Sequence, residues 1–481
     1  MVSTRFVPCQ PDHELAAGFQ RVRDELNIPS SFAPEVLAEA VAVDQRGPVT
    51  PPGVPADEPR DMRDIEFIAI DPPGSRDIDQ AFSASRTKHG YLVHYAIADI
   101  ASFVTPGGAI DTEAHRRGMT MYSPDFRASL HPDILNHGVA SLLPGVDRVA
   151  LVWSIRLDAD GTIYKSHVER ALVKNREAIS YHDAQARLAQ PDPPEVLRLL
   201  REVGRVRLER ERLRDAVSLR LPSQEINHTD DGYALHYGES IPIERWNAQI
   251  SLLTGIAAAD IMIKGGTGIL RTLPKPWNKT VKDLRRIARG LHIVWDDDVS
   301  YPERVRELDP SIPNEAAMLS ASARGLQGAG YTAFTNGELP EISQHSAIAS
   351  TYAHVTAPLR RLVDRYGNEL VLAYCADREP PTWVTEALDE IPSSMSKART
   401  REGKLDRGLL NFMEAATLAN HVGTRFEAVV TGQRKNRAIV QILHPAVIGT
   451  IESTDLPLGE RIHVTVDAVD TEQSRVELSA D

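Results

Sequence analysis

At 481 residues, 42% hydrophobic and 25% charged, the chain is long enough for two or three packed domains and too apolar to be disordered. Its formal charge of −13 excludes indiscriminate binding to polyanions, which are repelled at long range unless a local basic channel receives them. Only Cys9 and Cys375 are present, so there is no disulfide framework and no CxxC metal signature, which fits a reducing, cytoplasmic compartment.

The N-terminal MVSTRFVPCQPDHE has no apolar core of signal-peptide length. Residues 11–28 and 33–43 read as two amphipathic helices, and Gln45–Glu58 as a proline-rich linker. From about residue 61 strands alternate with helices: the run from Ile65 to Ile70, Tyr91–Ile100 and Ala150–Leu157 are strand-like, and Ile243–Lys264 is a long apolar helix. This is a large α+β domain. The arginines between Arg201 and Arg220 alternate with Glu202, Glu209 and Glu211 at helical spacing, the pattern of a salt-bridged, solvated face. The longest apolar stretch, Leu252–Ile263, is interrupted by Thr254, Gly255 and Asp260 and reads as a buried helix, not a membrane span. The last 58 residues switch to five short strands separated by Gly, Asn and Pro, the signature of a small OB-type barrel.

The chemistry gathers in IEFIAIDPPGSRDIDQAF, residues 65–82. Asp71 stands at the end of a buried strand, where sheets place their reactive groups. Pro72, Pro73 and Gly74 force a bend, after which Asp77 and Asp79, two apart in extended chain, face one side while Ile78 faces the other. Hard divalent cations take carboxylate oxygens in such a cluster and keep positions open for water and phosphate. An EF-hand is excluded, because its sixth and twelfth positions would fall on Arg76 and Phe82.

With these pieces placed, the chain resembles the catalytic RNB domain of the ribonuclease II and ribonuclease R family. The resemblance rests on IDPPGSRDIDQ at 70–80, VHYAIADIASFV at 93–104, RRGMTMYSPDFRASLHPDIL at 116–135, ASLLPGVDRVALV at 140–152, IERWNAQISLL at 243–253 and YAHVTAPLRRLVDR at 352–365. It implies three parts: a helical N-terminal region over 1–60, an RNB catalytic domain over 61–415 with a mixed sheet surrounded by helices, and an S1-like RNA-binding barrel over 424–481, which carries the VDAVDTEQSRVELS ending.

The activity implied is Mg²⁺-dependent hydrolysis of single-stranded RNA from its 3′ end to nucleoside 5′-monophosphates, with Mn²⁺ as a possible substitute. Asp71, Asp77 and Asp79 match the family's acidic motif as catalytic and metal-binding residues, and its fourth acid falls on Gln80, a neutral and poorer hard-metal ligand. Tyr122 matches a tyrosine that packs on the terminal nucleotide, and Arg360 an arginine at the scissile phosphate, with Arg361 beside it as a structural group or second backbone contact. Glu402 matches a glutamate on a substrate-binding helix, with Asp406 as the alternative. His94, His345 and His354 are expected to be structural, and none is assigned to metal. About 60 residues precede the catalytic part, too few for the two cold-shock barrels of longer relatives, so weaker binding of long RNA and less processive trimming are expected. The acidic surface fits a monomer. Gln80 keeps two other readings open: a weak RNB protein that binds RNA 3′ ends, and a metal-dependent phosphoesterase acting on short nucleotides.

Overall fold

A computed structural model of the chain describes residues 12–480 apart from 218, 220–222, 230–231, 239–240, 311, 435, 443 and 453–455. Cys9, the first residue of the expected 11–28 helix, and Arg220 lie outside the described residues.

Eight strands occupy the first part of the large domain: β1 (Arg60–Asp61), β2 (Phe67–Asp71), β3 (Gln80–Arg86), β4 (Gly90–Ala98), β5 (Met121–Tyr122), β6 (Arg127–Ala128), β7 (Asp147–Asp158) and β8 (Ile163–Ser180). The main sheet has the order β1-β8-β2-β3-β4-β7 and closes on itself, because β8 also pairs with β7. The 18-residue β8 makes this possible by pairing antiparallel with β7 over Ile163–Lys174 and parallel with β2 over Asn175–Ser180. Alternate side chains go to opposite faces. Ile68, Ile70, Tyr95, Ile97 and Trp153 pack with the helix Pro242–Gly265, while Phe67, Ala69, Ala96, Ala98 and Val152 pack with the helix Pro34–Arg46. Burial on both faces explains why β2 reads as an unbroken apolar run.

The N-terminal helices span Asp12–Glu25 and Pro34–Arg46, so the second runs two residues into the expected linker. Both pack against the large domain. The first lays Leu15, Phe19 and Val22 against Leu409, Phe412 and Met413 of the long helix Ile391–Leu418. A Cβ on Gly18 would stand 1.9 Å from the Phe412 ring, so the two helices approach at a distance only glycine allows.

The arginine-rich helix, Glu195–Leu213, corrects the solvated-face expectation in part. Arg212 does bridge Glu209 on the exposed side, but Arg207 is only 3% exposed and donates to the Gly161 carbonyl at 2.7 Å. Burial lowers its pKa to about 10. Helical spacing is the same for a stripe that faces solvent and one that faces a hairpin, so the sequence pattern could not separate them.

The C-terminal part folds as expected into five antiparallel strands, Arg425–Arg434, Arg437–Ile442, Ile448–Glu452, Arg461–Asp470 and Arg475–Ala480, around a core that includes Val430, Val440, Val464 and Val466. Among the described residues no helix is long and apolar enough to cross a membrane.

Candidate active site

Strand β2 delivers Asp71 as its last residue, in register with Ser180 at the end of β8. The chain then turns at Gly74, whose φ of 77° lies in the region that favours glycine, and returns through irregular backbone to Gln80 at the start of β3. This loop is held by distant segments. Ser141 Oγ donates to the Arg76 carbonyl at 2.7 Å and accepts from the Ile78 N–H at 2.9 Å; the Leu142 N–H donates to the Ile78 carbonyl at 3.0 Å and the Ala98 N–H to that of Asp79 at 2.9 Å. Ile78 enters the core beneath, and Asp79, 3% exposed, is buried beside it.

Asp79 accepts from the Leu359 N–H at 2.8 Å and from Arg360 Nε at 3.2 Å. Burial pushes its carboxyl up to about 7, against the opposing pull of Arg360. Asp71 is also raised to about 7, by burial first; Arg360 opposes the shift and neighbouring Asp77 adds to it. Asp77 pairs with Arg127 at 2.5 Å. Arg127 lies directly opposite Tyr122 in the β5–β6 hairpin, with its guanidinium 5.6 Å from the tyrosine ring centroid. The Tyr122 hydroxyl stands 3.5 Å from Asp77, and the residue is 47% exposed, which leaves ring surface for a partner.

Of these groups Tyr122 and Arg360 line a cavity of about 150 Å³, together with Arg271, Tyr331, Arg361 and Glu402. Asp406 is not among its lining residues. Arg361 holds Asp364 at 2.8 Å where the helix Leu362–Cys375 begins. Of the histidines, His94 on β4 meets Ser154 Oγ at 3.1 Å, whereas His354 lines the cavity and its Nδ1 shares a hydrogen bond of 2.7 Å with the Tyr331 hydroxyl. Burial, reinforced by nearby arginines, holds His354 well below the usual histidine range. A larger cavity of about 550 Å³ lies between residues 48–60 and the end of the helix Leu362–Cys375, and none of the motif acids lines it.

Among the described residues no three His, Cys, Asp or Glu side chains converge closely enough to hold a metal ion. The expected three-acid ligand set is therefore not closed in this conformation, because Leu359 and Arg360 take both oxygens of Asp79, and the Gln80 amide oxygen accepts from the Tyr95 hydroxyl at 3.1 Å. The remaining donors do fit a hard cation. Among the described residues the Asp71 carboxylate accepts no hydrogen bond and makes no ion pair, although burial penalises its charge, and Asp77 lies close enough to repel it. Mg²⁺ is commonly bound by one or two carboxylates, with water and phosphate completing its shell.

Sequence reasoning missed Arg127, Arg271 and Tyr331. Arg127 lies inside a quoted motif, but a hairpin of two-residue strands leaves no periodic signal to place it against Asp77.

The RNB domain family matches residues 59–377, and the RNase II-type exonuclease C-terminal S1 domain matches residues 424–481. Ribonuclease R of Aquifex aeolicus is 23% identical over 500 residues, covering 94% of this chain and 68% of that protein. The exosome complex exonuclease dis3 of Schizosaccharomyces pombe is 30% identical over 322 residues, covering 63% of this chain and 33% of that protein. The chain thus spans between 33% and 68% of the length of these curated relatives. The structure of Mycoplasma genitalium RNase R in complex with ribose methylated single-stranded RNA superposes with a TM-score of 0.84 at 17% identity, covering 97% of this chain and 78% of that one, which shows a shared fold. The match over 59–377, most of the chain, together with the C-terminal match, means that the chain belongs to the RNB-domain family and carries an RNase II-type S1 domain.

Proposed function

We propose that the chain is a cytoplasmic, hydrolytic 3′–5′ exoribonuclease that shortens single-stranded RNA to nucleoside 5′-monophosphates, with Mg²⁺ as its metal and Mn²⁺ as a substitute. The observation that carries this reading is the gathering of two buried acids at Arg360, Asp79 in an ion pair and the otherwise unpartnered Asp71 within reach of its charge, where Arg360 and the half-exposed Tyr122 line one small cavity. In this reading residues 1–60 support the core, 61–415 perform the reaction and 424–481 contribute the RNA-binding barrel.

Tyr122 offers an aromatic face on which any terminal base stacks without being identified, as a sequence-independent nuclease requires. Arg360 commits Nε to Asp79 and keeps both terminal amino groups free of described partners, so its planar fork is aimed but available for phosphate oxygens. Asp79, fixed by a backbone N–H, sets that aim. Charge that develops on the phosphate then meets a donor already oriented, and no reorganisation is needed during the reaction. Asp71 and Asp77 would hold the Mg²⁺, which supplies water activation and neutralisation of phosphate charge when bound.

The test is incubation of 5′-labelled single-stranded RNA with wild type and Asp79→Asn in Mg²⁺, resolved at single nucleotides. A shortening ladder that disappears in the variant is the expected result. Intact RNA bound tightly by both proteins would instead mark a protein that holds RNA ends without cutting them.

A further inference from the structure

Arg271 lies on the short strand Gly268–Thr272, directly across from Tyr331 on the antiparallel strand Gly330–Phe334. Its guanidinium carbon stands 4.6 Å from the centroid of the Tyr331 ring, and the residue is only 6% exposed. Its backbone N–H donates to the Tyr352 carbonyl at 2.8 Å, but its side chain makes neither a hydrogen bond nor an ion pair among the described residues. A guanidinium carries five N–H donors and a permanent charge, and such a group is rarely buried without an acceptor. Burial lowers its pKa, and the neighbouring Arg399 and Arg361 add to that effect.

Each of the other arginines of the cavity has an acid partner. Arg360 holds Asp79, Arg361 holds Asp364, and Arg399 faces Glu402 at 3.9 Å. With Asp79, Asp364 and Glu402 as partners of the other three, Arg271 is the one lining arginine without an acid partner among the described residues, and it shares the cavity with Tyr122. It is held in place. The Tyr331 hydroxyl is tied to His354, which fixes the ring on which Arg271 rests.

We propose that Arg271 is an additional substrate-binding residue that receives a phosphate group of the RNA 3′ end in this cavity; the inference rests on the exoribonuclease reading above. The planar fork suits phosphate oxygens, and the cavity of about 150 Å³ has room for a terminal group and not for a strand segment. Two sources supply that chemistry: the phosphodiester that precedes the last nucleotide, and a phosphate carried on the terminal 3′ oxygen. Either would give the guanidinium the acceptor it lacks.

The experiment measures binding of 5′-fluorescein oligoribonucleotides to the full chain in EDTA, where no cleavage is expected. Three oligonucleotides of one sequence are compared: the natural 3′-hydroxyl form, one with a neutral methylphosphonate at the last linkage, and one with a 3′-terminal phosphate. The proteins are wild type, Arg271→Met and Arg271→Lys. If the phosphodiester is the partner, Arg271→Met weakens the natural oligonucleotide by about tenfold to a hundredfold and leaves the methylphosphonate form unchanged. If the terminal phosphate is the partner, the loss is confined to the 3′-phosphate form. Arg271→Lys, which keeps the charge, should retain part of the binding in either case. Equal affinities of wild type and Arg271→Met for all three forms would overturn the proposal, and so would a uniform loss across the three, which would indicate a packing role on Tyr331. Should Arg271→Met fail to fold, Arg271→Lys decides the matter on the same oligonucleotides, and unaltered discrimination overturns the proposal. A wild type that neither binds RNA in EDTA nor shortens it in Mg²⁺ would remove the exoribonuclease reading itself, an outcome visible before any variant is made.

Discussion

Replacing Arg360 by Met should destabilise the protein more in alkali than in acid. Asp79 is 3% exposed and rests on two donors, the Leu359 N–H and Arg360 Nε, of which the variant keeps one. The folded pKa of Asp79, about 7, lies above the ordinary value of 3.8, so below pH 7 the native carboxyl is already protonated. At pH 6 the variant therefore loses a bond to a neutral acceptor, worth about 0.5–1.5 kcal/mol. At pH 9 the carboxylate is ionised, and the loss is that of a charge-assisted bond, about 1.5–3 kcal/mol. Arg360 also lowers the Asp79 pKa, so its removal raises that value further, and each unit adds about 1.4 kcal/mol to the difference at high pH. Urea unfolding of both proteins at pH 6 and pH 9 measures this; EDTA is needed throughout, because a cation bound only to the native state would add stability of its own. Equal losses at the two pH values, or a larger loss at pH 6, would refute the reasoning. In Mg²⁺ the same variant should lose about 10²–10³-fold in kcat, the usual consequence of removing one preoriented donor at a developing charge.

Three further expectations can be checked. Tyr122→Ala should weaken RNA binding by about 1–3 kcal/mol while Tyr122→Phe stays near wild type, since the ring and not the hydroxyl carries the stack; equal effects of both in an anisotropy titration would contradict this. Gln80→Asp should lower the Mg²⁺ concentration needed for half-maximal rate by restoring a carboxylate, while costing about 1 kcal/mol because the Tyr95 hydroxyl loses a neighbour; superimposable Mg²⁺ and Mn²⁺ curves would show that the position does not matter. Glu414 on the helix Ile391–Leu418 accepts from Gln224 Nε2 at 2.7 Å and from the Ile448 N–H of the C-terminal barrel at 2.8 Å, and burial raises its pKa from 4.5 to about 7. Its raised value means that stability is lost as pH climbs from about 4.5 through 7, by up to about 3 kcal/mol, and Glu414→Gln should flatten that slope in melting curves taken between pH 5 and pH 8.

Much of this architecture was legible because it follows short periods. Ile68 and Ile70 on one face and Phe67 and Ala69 on the other announced a strand buried on both sides, and that strand placed Asp71 at its end. The five C-terminal strands were visible for the same reason, each alternating inward and outward between turn residues. Longer-range relations left no such trace. Nothing local shows that Asp79 is met by a backbone N–H 280 residues away, or that Arg271 lies across from Tyr331. The setting of the acids was hidden for a related reason: spacing reveals that acids can face one side, but not that Arg360 and Leu359 each donate to one of them.

The loop bearing Asp77 and Asp79 is fastened by Ala98, by Ser141 and Leu142, and finally by Leu359. The acids are therefore made early in synthesis and secured late. An incomplete chain ending before residue 359 would contain every residue of the acidic motif, yet Asp79 would lack both of its donors and have no reason to remain buried. On the exoribonuclease reading, chemistry directed at RNA thus waits for most of the polypeptide to be present, and a nascent or truncated fragment carries the motif without the arrangement proposed to cut.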